Sequence, residues 1–553
     1  MRRDRIRITA IAVLLFSTLA SKDQGDQPYH RVRLVTNDTL AQKIFNRAEE
    51  LAATNIARID GRKVMTEGAH YHHLWLETQP MGGYMYAPRD PEVARNNIEI
   101  FIDFQREDGR FPGVIYNRNG SAEPNYVQFQ GFCFARPALE LYFLTGADKA
   151  YLKRLYTVLE KFDTYLWRTR DSDSNGCLET WCIYDTGEDQ GVRFNGFPNG
   201  WSFDFPPSPE ASASLTPGEL RINCKQDTYD STRRMIVPIE SMDIMSYSYS
   251  CREVLAEISE ELENGMEKYW HEKAGEVRKR IREYLWDEGR SCCLDRDRDN
   301  KVMPILLHNN LRCMYFGSFD QEMADRFISE HLMNPDEFMT PMPLPSVAAN
   351  DPMFRNISGN NWSGQPQGLT FQRSIRALEN YGHYAELTII GQRFLEVIGK
   401  KMIFTQQYDP FTTEPTGLED GYGPTLLASL EFITRLYGIH ITGREVYWSC
   451  LDNRYDYDYM QMWNGKSYRM RTNKKNEVLC FVNGKRVLTF TRGVRVVTDQ
   501  RGNVWTIAGI GCNRKTITVR AKKTHKLAIN PDEAFVFNAD HQVFVKKENT
   551  SPE

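Results

Sequence analysis

Lys149-Ala-Tyr-Leu152-Lys-Arg-Leu155-Tyr156-Thr-Val-Leu159-Glu-Lys-Phe162-Asp-Thr-Tyr-Leu166-Trp-Arg168 decides the fold. Leu152, Leu155, Tyr156, Leu159, Phe162 and Leu166 recur at helical steps and form one apolar stripe. The same period returns in 92–106, where Ala94, Ile98, Phe101 and Ile102 carry it, and in 241–262, 267–285, 365–381, 385–397 and 424–437. Turn residues punctuate these runs, as in Asp108-Gly109, Asp173-Ser-Asn175-Gly176 and Asn350-Asp351-Pro352. No run sustains the heptads of a coiled coil. About twelve helices spread over roughly four hundred residues predict a closed ring of helical hairpins, with function in the loops at one end.

After Gly443 the texture changes. Alternating runs at 478–482, 494–497, 504–507 and 516–519 are separated by hairpin turns such as Asn483-Gly484 and Arg501-Gly502-Asn503. They predict an all-β terminal domain, richer in Lys and Arg than the rest and packed on the helical body. At the other end, Met1-Arg2-Arg3-Asp4-Arg5-Ile6-Arg7 is basic, and an apolar run from Ile8 to Ala20 ends with small residues at Thr18 and Ala20. That pattern reads as a secretory signal peptide, too short to span a bilayer as an anchor. The expected organisation is a signal peptide at 1–20, a helical domain at 21–440 and a small β domain at 441–553. The chain is expected to be mainly α, and periplasmic or secreted.

A chain of 553 residues is too long for one small core. A formal net charge of −4, with no block of like charge, disfavours a nucleic-acid partner. Aromatics reach 12%, enough to supply stacking platforms for sugars, although large cores use them too. The 11 cysteines are scattered and unpatterned, so they read as buried small apolar residues rather than a disulfide framework.

The chemistry concentrates in four loop-like segments. The first is His70-Tyr-His72-His73-Leu-Trp75-Leu-Glu77-Thr78. The second is Phe104-Gln105-Arg106-Glu107-Asp108-Gly109-Arg110-Phe111-Pro112. The third is Asp185-Thr-Gly-Glu188-Asp189-Gln-Gly-Val-Arg193-Phe194, set between Trp181 and Trp201. The fourth runs from Asn360-Asn361-Trp362-Ser-Gly364-Gln365-Pro366 to Gln406-Gln407-Tyr408-Asp409-Pro410-Phe-Thr-Thr-Glu414-Pro-Thr-Gly417. Acids beside aromatics and a tight turn suggest a carbohydrate site. A carboxylic acid crowded by like charges and aromatic faces stays protonated near neutral pH, which leaving-group protonation requires.

These segments resemble the (α/α)6-barrel glycosidase clan that contains processing α-glucosidase, mannosylglycerate hydrolase and trehalase. The clan's early Trp-Asp-Ser/Thr motif reads here Trp75-Leu76-Glu77-Thr78. Its Glu-Ser-Gly-x-Asp motif reads Asp185-Thr186-Gly187-Glu188-Asp189, continuing to Arg193. Val237-Pro238-Ile239-Glu240-Ser241-Met242-Asp243 and Trp362-Ser363-Gly364-Gln365-Pro366 are similar to two further blocks, in the expected order. The resemblance covers about 58–437. It implies an (α/α)6 toroid, a glycoside hydrolase acting on a terminal bond of an oligo- or polysaccharide by inversion, no cofactor, and Asp189 as general acid.

One departure matters. The clan's base is a Glu ahead of a Tyr/Phe-Asp/Asn-Pro-x-Thr-Gly stretch, and here that position is Gln406, which cannot usefully accept a proton. Glu414 in the same loop is the assigned substitute, with Asp409, Glu419 and Asp420 as further options. Inversion places the two carboxyl groups roughly 6.5–9.5 Å apart, so that a water fits. Trp75, Trp181, Trp201 and Trp362 are expected to wall the sugar, and Glu77, Arg110 and Arg193 to hold its hydroxyls. Asp185 and Glu188 are expected to raise the pKa of Asp189.

Other signals carry less. His70, His72 and His73 lack a nearby fourth ligand, and no metal is expected. Asp171-x-Asp173-x-Asn175-Gly176 opens like a calcium loop but has Cys182 where a bidentate Glu is needed. Two rival functions remain at this level. A polysaccharide lyase would use the His cluster with Arg106 and Arg110, and a glycan-binding relative without catalysis would be consistent with Gln406.

Overall fold

The computed structural model describes residues 31–126, 129–146, 148–180, 185–194, 238–297, 299–538 and 543–547. The expected signal peptide, Trp181 and Trp201 lie outside the described residues.

Twelve α-helices are described: α1 Thr39–Thr54, α2 Gln79–Tyr86, α3 Pro91–Asp103, α4 Ala135–Thr145, α5 Lys149–Thr169, α6 Met242–Leu262, α7 Glu267–Arg280, α8 Asn309–Phe316, α9 Gln321–Phe327, α10 Gly368–Glu379, α11 Tyr384–Lys401 and α12 Gly423–Tyr437. Local chemistry sets their starts. The Asp38 side chain accepts the Ala41 N–H ahead of α1, and Asp148 accepts the Ala150 N–H ahead of α5. Asp90 caps α3, whose first residue is Pro91.

The even-numbered helices close a ring. In turn α2 packs on α4, α4 on α6, α6 on α8, α8 on α10, α10 on α12, and α12 on α2. These helices have few exposed faces: every residue of α12 and α8 is buried. The odd-numbered helices lie outside and are amphipathic. In α5, Leu152, Leu155, Leu159, Phe162 and Leu166 are buried, as the stripe required.

Beyond α12 the chain builds two antiparallel sheets. One has six strands, ordered Ile439–Ile441, Val446–Cys450, Val494–Thr498, Val504–Gly509, Ala534–Asn538 and Val543–Lys546. The other has seven. Its edge strand, Val32–Thr36, comes from the start of the described chain and pairs antiparallel with Tyr457–Trp463, Val32 opposite Gln461. Trp448 of the first sheet contacts Tyr468 of the second, and Tyr437 at the end of α12 stacks on Tyr457 at 4.3 Å. The expectation of a mainly α chain is not met, because sheet takes up most of the C-terminal region and recruits the N-terminal strand. Eight of the nine described cysteines are buried, and Cys512 is exposed.

Candidate active site

The segments that precede the inner helices converge at one end of the ring. Glu67, Tyr71, Trp75 and Glu77 come from the chain before α2, and Gln130 from before α4. Gly187 and Asp189 come from before α6, Asn360 and Trp362 from before α10, and Gln406 and Tyr422 from before α12. Together they enclose a cavity of about 230 Å³.

Asp189 sits on a tight turn in which Gly187 and Gln190 have φ of 73° and 60°. The Trp362 N–H donates to the Asp189 carbonyl at 3.0 Å and ties the turn to the α10 loop. Asn360 Nδ2 donates to Asp189 Oδ2 at 2.5 Å, while Oδ1 is buried without a protein partner. Burial raises the Asp189 pKa to about 6, against the opposing Asn360 hydrogen bond. The expected cause was the neighbouring acids Asp185 and Glu188. The structure corrects this, because both are neutralised elsewhere.

Gln406 is in the pocket wall and links it together. Its Oε1 accepts from the Tyr71 hydroxyl at 3.1 Å, and its Nε2 donates to Asn360 Oδ1 at 2.8 Å. The chain Tyr71–Gln406–Asn360 therefore ends on Asp189.

Two more carboxyl groups complete the site. Glu77 receives Arg373 at 3.3 Å and lies against Gly187, where an added Cβ would come within 2.0 Å of Glu77 Oε2. Burial raises its pKa to about 7, in spite of Arg373 and Arg312, and Asp189 adds to the rise. Glu67 accepts from the Tyr422 hydroxyl at 2.9 Å. Burial, then Glu77, raises the Glu67 pKa well above the ordinary carboxylate range; Tyr422 opposes this and Asp189 adds to it. Three carboxyl groups within mutual electrostatic reach in so small a space cannot all ionise at neutral pH. Trp75 Nε1 and Gln130 Oε1 are also buried without protein partners. Beside Asp189 Oδ1 they offer one donor and one acceptor to a polyhydroxylated ligand.

Trp75, Glu77, Asp189, Trp362 and Gln406 are thus brought together as expected. Several other expected site residues are not. Arg193 is buried away from the cavity, bonded to Asp295 at 2.6 Å and paired with Glu188 and Asp243. Burial alone would raise the Glu188 pKa, but Arg193, then Arg312 and His308, hold it well below the usual range. Asp185 is buried opposite Arg170 at 3.5 Å. Arg110 is fully buried, donating to the Tyr165 hydroxyl and the Tyr126 carbonyl. Arg110, Asp185, Glu188 and Arg193 are not among the residues that line the cavity.

Glu414 requires the largest correction. Its side chain is 53% exposed and pairs with Lys401 at 2.9 Å, off the cavity, because the 409–414 turn faces outward. Glu67, Tyr71, Gln130 and Tyr422 line the cavity without being among the expected site residues. A signal was available in Glu67-Gly68 and Gly421-Tyr422-Gly423. The Gly423 N–H donates to the Glu67 carbonyl at 2.6 Å, and an added Cβ on Gly423 would meet that oxygen at 2.6 Å. Paired glycines around polar residues mark loops that touch backbone to backbone.

The ring matches solved glycosidase structures. Mannosylglycerate hydrolase of glycoside hydrolase family 63 from Thermus thermophilus, in complex with glucose, superposes with a TM-score of 0.55 at 16% identity, over 71% of this chain and 100% of that one. A sialidase gives 0.63 at 14% identity, over 88% of this chain and 44% of that one. Neutral trehalase from Saccharomyces cerevisiae gives 0.50 at 15% identity, over 70% and 79%. At such identities the likeness is one of fold. No curated protein sequence matches the chain. The family model of the mannosylglycerate hydrolase MGH1-like glycoside hydrolase domain matches residues 71–425, which hold the first five inner helices, the start of α12 and every cavity residue except Glu67. The chain therefore belongs to the MGH1-like glycoside hydrolase family, with an (α/α)6 ring as its glycosidase domain.

Proposed function

We propose that this glycoside hydrolase removes a single terminal sugar by one inverting displacement, with Asp189 as the proton donor. The observation that carries the reading is Asp189 itself. It is buried, its pKa is raised to about 6, and Oδ1 has no protein partner in a small cavity. A protonated Oδ1–H is what a departing glycosidic oxygen needs. The cavity, at about 230 Å³, is below the roughly 300–1,000 Å³ of drug-sized sites and suits one sugar ring, which supports exo action. Trp75 and Trp362 supply aromatic walls, and Trp75 Nε1 and Gln130 Oε1 supply hydroxyl partners.

The lyase alternative loses its support. Arg106 is paired with Asp108, Arg110 is buried in the core, and His73, whose Nδ1 accepts from the Asn117 N–H at 3.2 Å, does not line the cavity.

The test is hydrolysis of 4-nitrophenyl glucosides, mannosides and rhamnosides of both anomers, with trehalose and mannosylglycerate, the product anomer being read by NMR. Asp189→Asn is expected to lower turnover about 10²–10⁴-fold on these substrates, and less on 2,4-dinitrophenyl glycosides, whose leaving group needs little protonation. Undiminished turnover would overturn the assignment.

A further inference from the structure

Resting on the glycosidase reading, we propose that Glu67 is the base that activates the attacking water, in the role that Gln406 cannot perform. An amide has no useful proton affinity, so a base must come from another group on the same wall. Three observations single out Glu67.

The first is position. Tyr71 joins the two residues: its hydroxyl donates to Gln406 Oε1, and its ring packs edge-on against Tyr422 at 6.2 Å, whose hydroxyl donates to Glu67. Glu67 and Gln406 therefore line the same cavity and are linked through Tyr71 and Tyr422. The Glu67 backbone is held on the turn before α12, and Asp189 lies on the loop before α6. In the closed order α2, α4, α6, α8, α10, α12, those two helices are three places apart, on opposite sides of the ring. Acid and base of an inverting enzyme must stand on opposite sides of the anomeric carbon.

The second is elimination. Glu77 is occupied by Arg373 and enclosed against Gly187, a geometry for holding a sugar hydroxyl. Glu414 is exposed on Lys401. Glu188 and Asp185 are committed to arginines.

The third is the character of the Glu67 contact. The Tyr422 hydroxyl donates to one oxygen and so favours the carboxylate form, while Glu77 and Asp189 face it and disfavour that form. Burial is the largest influence on Glu67 and also favours its neutral form, so the carboxylate depends on the contacts that substrate and water bring. A glycosidic oxygen at Asp189 Oδ1 draws the proton there, and a water donating to Glu67 stabilises its negative charge. In the step, the water oxygen forms a bond to the anomeric carbon as the glycosidic C–O bond breaks. The bonding pair leaves with the departing oxygen, which takes the Asp189 proton, and the proton lost by the water goes to Glu67.

The experiment compares Glu67→Gln, Glu67→Ala, Glu77→Gln and Asp189→Asn on the aryl glycosides above and on the matching glycosyl fluorides. Glu67→Gln is expected to lose about 10²–10⁴-fold on both classes, since a better leaving group does not replace a base. Asp189→Asn is expected to recover on the fluorides. Sodium azide should restore turnover to Glu67→Ala, with a glycosyl azide of inverted configuration, and not to Glu77→Gln. If Glu67→Gln fails to fold, Tyr422→Phe substitutes for it. Loss of that hydroxyl should move the acidic limb of the kcat/KM profile to higher pH. Glu67→Gln within tenfold of wild type, an unmoved acidic limb in Tyr422→Phe, or azide rescue at Glu77 instead would overturn the role of Glu67 and leave the glycosidase reading intact. No release from any substrate by the wild type, or a fully active Asp189→Asn, would overturn both.

Discussion

Each end of the helical ring has a cavity, and the two treat ionisable groups in opposite ways. The site described above lies ahead of the first residues of α2, α10 and α12. A larger cavity, of about 710 Å³, is lined by later residues of the same helices, including Tyr84, Arg376, Glu379, Glu431 and Arg435, and by Arg444 and Arg495 of the sheet region. There the charges cancel. Glu379 accepts from Arg435 at 3.0 Å and from Arg495 at 2.6 Å, Arg136 pairs with Glu257 at 2.5 Å, and Arg376 pairs with Glu140. At the small cavity, Asp189, Glu67 and Glu77 face one another with Arg373 as the one guanidinium bonded to them among the described residues. Size alone would favour the larger cavity as the active site. The chemistry favours the smaller, because catalysis needs a proton held against its ordinary affinity and a balanced ion network holds none.

The contrast predicts that removing a carboxylate has opposite consequences at the two ends. The largest effect is on activity. Asp189→Asn should reduce kcat by about 10³-fold, while Glu379→Gln should leave it within twofold; comparable losses in both would break the distinction. Next is stability at the larger cavity. Glu379→Gln leaves Arg435 and Arg495 short of a counter-charge and should cost about 2–4 kcal/mol in denaturant unfolding. The paired arginines lower the Glu379 pKa to about 2 against its burial. The wild-type advantage should be full above pH 4.5, the unfolded value, and disappear as pH falls toward 2.

Asp189 has the reverse sign. Its pKa rises from 3.8 to about 6 in the folded state, so folding retains a proton that the unfolded chain releases. Asp189→Asn should therefore be more stable than wild type by roughly 1–3 kcal/mol above pH 6, with the difference vanishing below pH 3.8. A variant less stable than wild type at pH 7 would show that the acid is not under strain. The smallest effect belongs to Glu414→Gln, expected within twofold of wild type in kcat/KM and unchanged in melting temperature, as its exposed pair with Lys401 implies.

Legibility in the sequence followed the range of the interactions. The stripe in 149–168 is local, and it forecast α5 and its buried face. The 185–189 turn is also local, so Asp189 could be singled out and then found in the cavity. Val32–Thr36 was passed over because its partner, Tyr457–Trp463, lies at the other end of the chain. Arg110 and Arg193 depart from expectation for a related reason. A charged residue beside aromatics has the same local sequence whether it meets a ligand or a buried counter-charge, and only the fold brought Asp243 and Asp295 onto Arg193.

The sequence by itself determined the helical ring, through periodicity that any register of packing must satisfy, and it determined the turn that presents Asp189. It also showed the gap at Gln406, since an amide in a carboxylate's place is a matter of residue identity. The tertiary structure alone decided what faces Asp189. Ring closure sets α12 against α2, and glycine contacts bring the Tyr422 turn onto Glu67, so a carboxyl group from early in the chain lines the same cavity as Gln406. The burial that raises the Asp189 pKa is likewise a property of the assembled ring, because desolvation depends on every wall of the cavity and no single wall is contributed by one segment of chain.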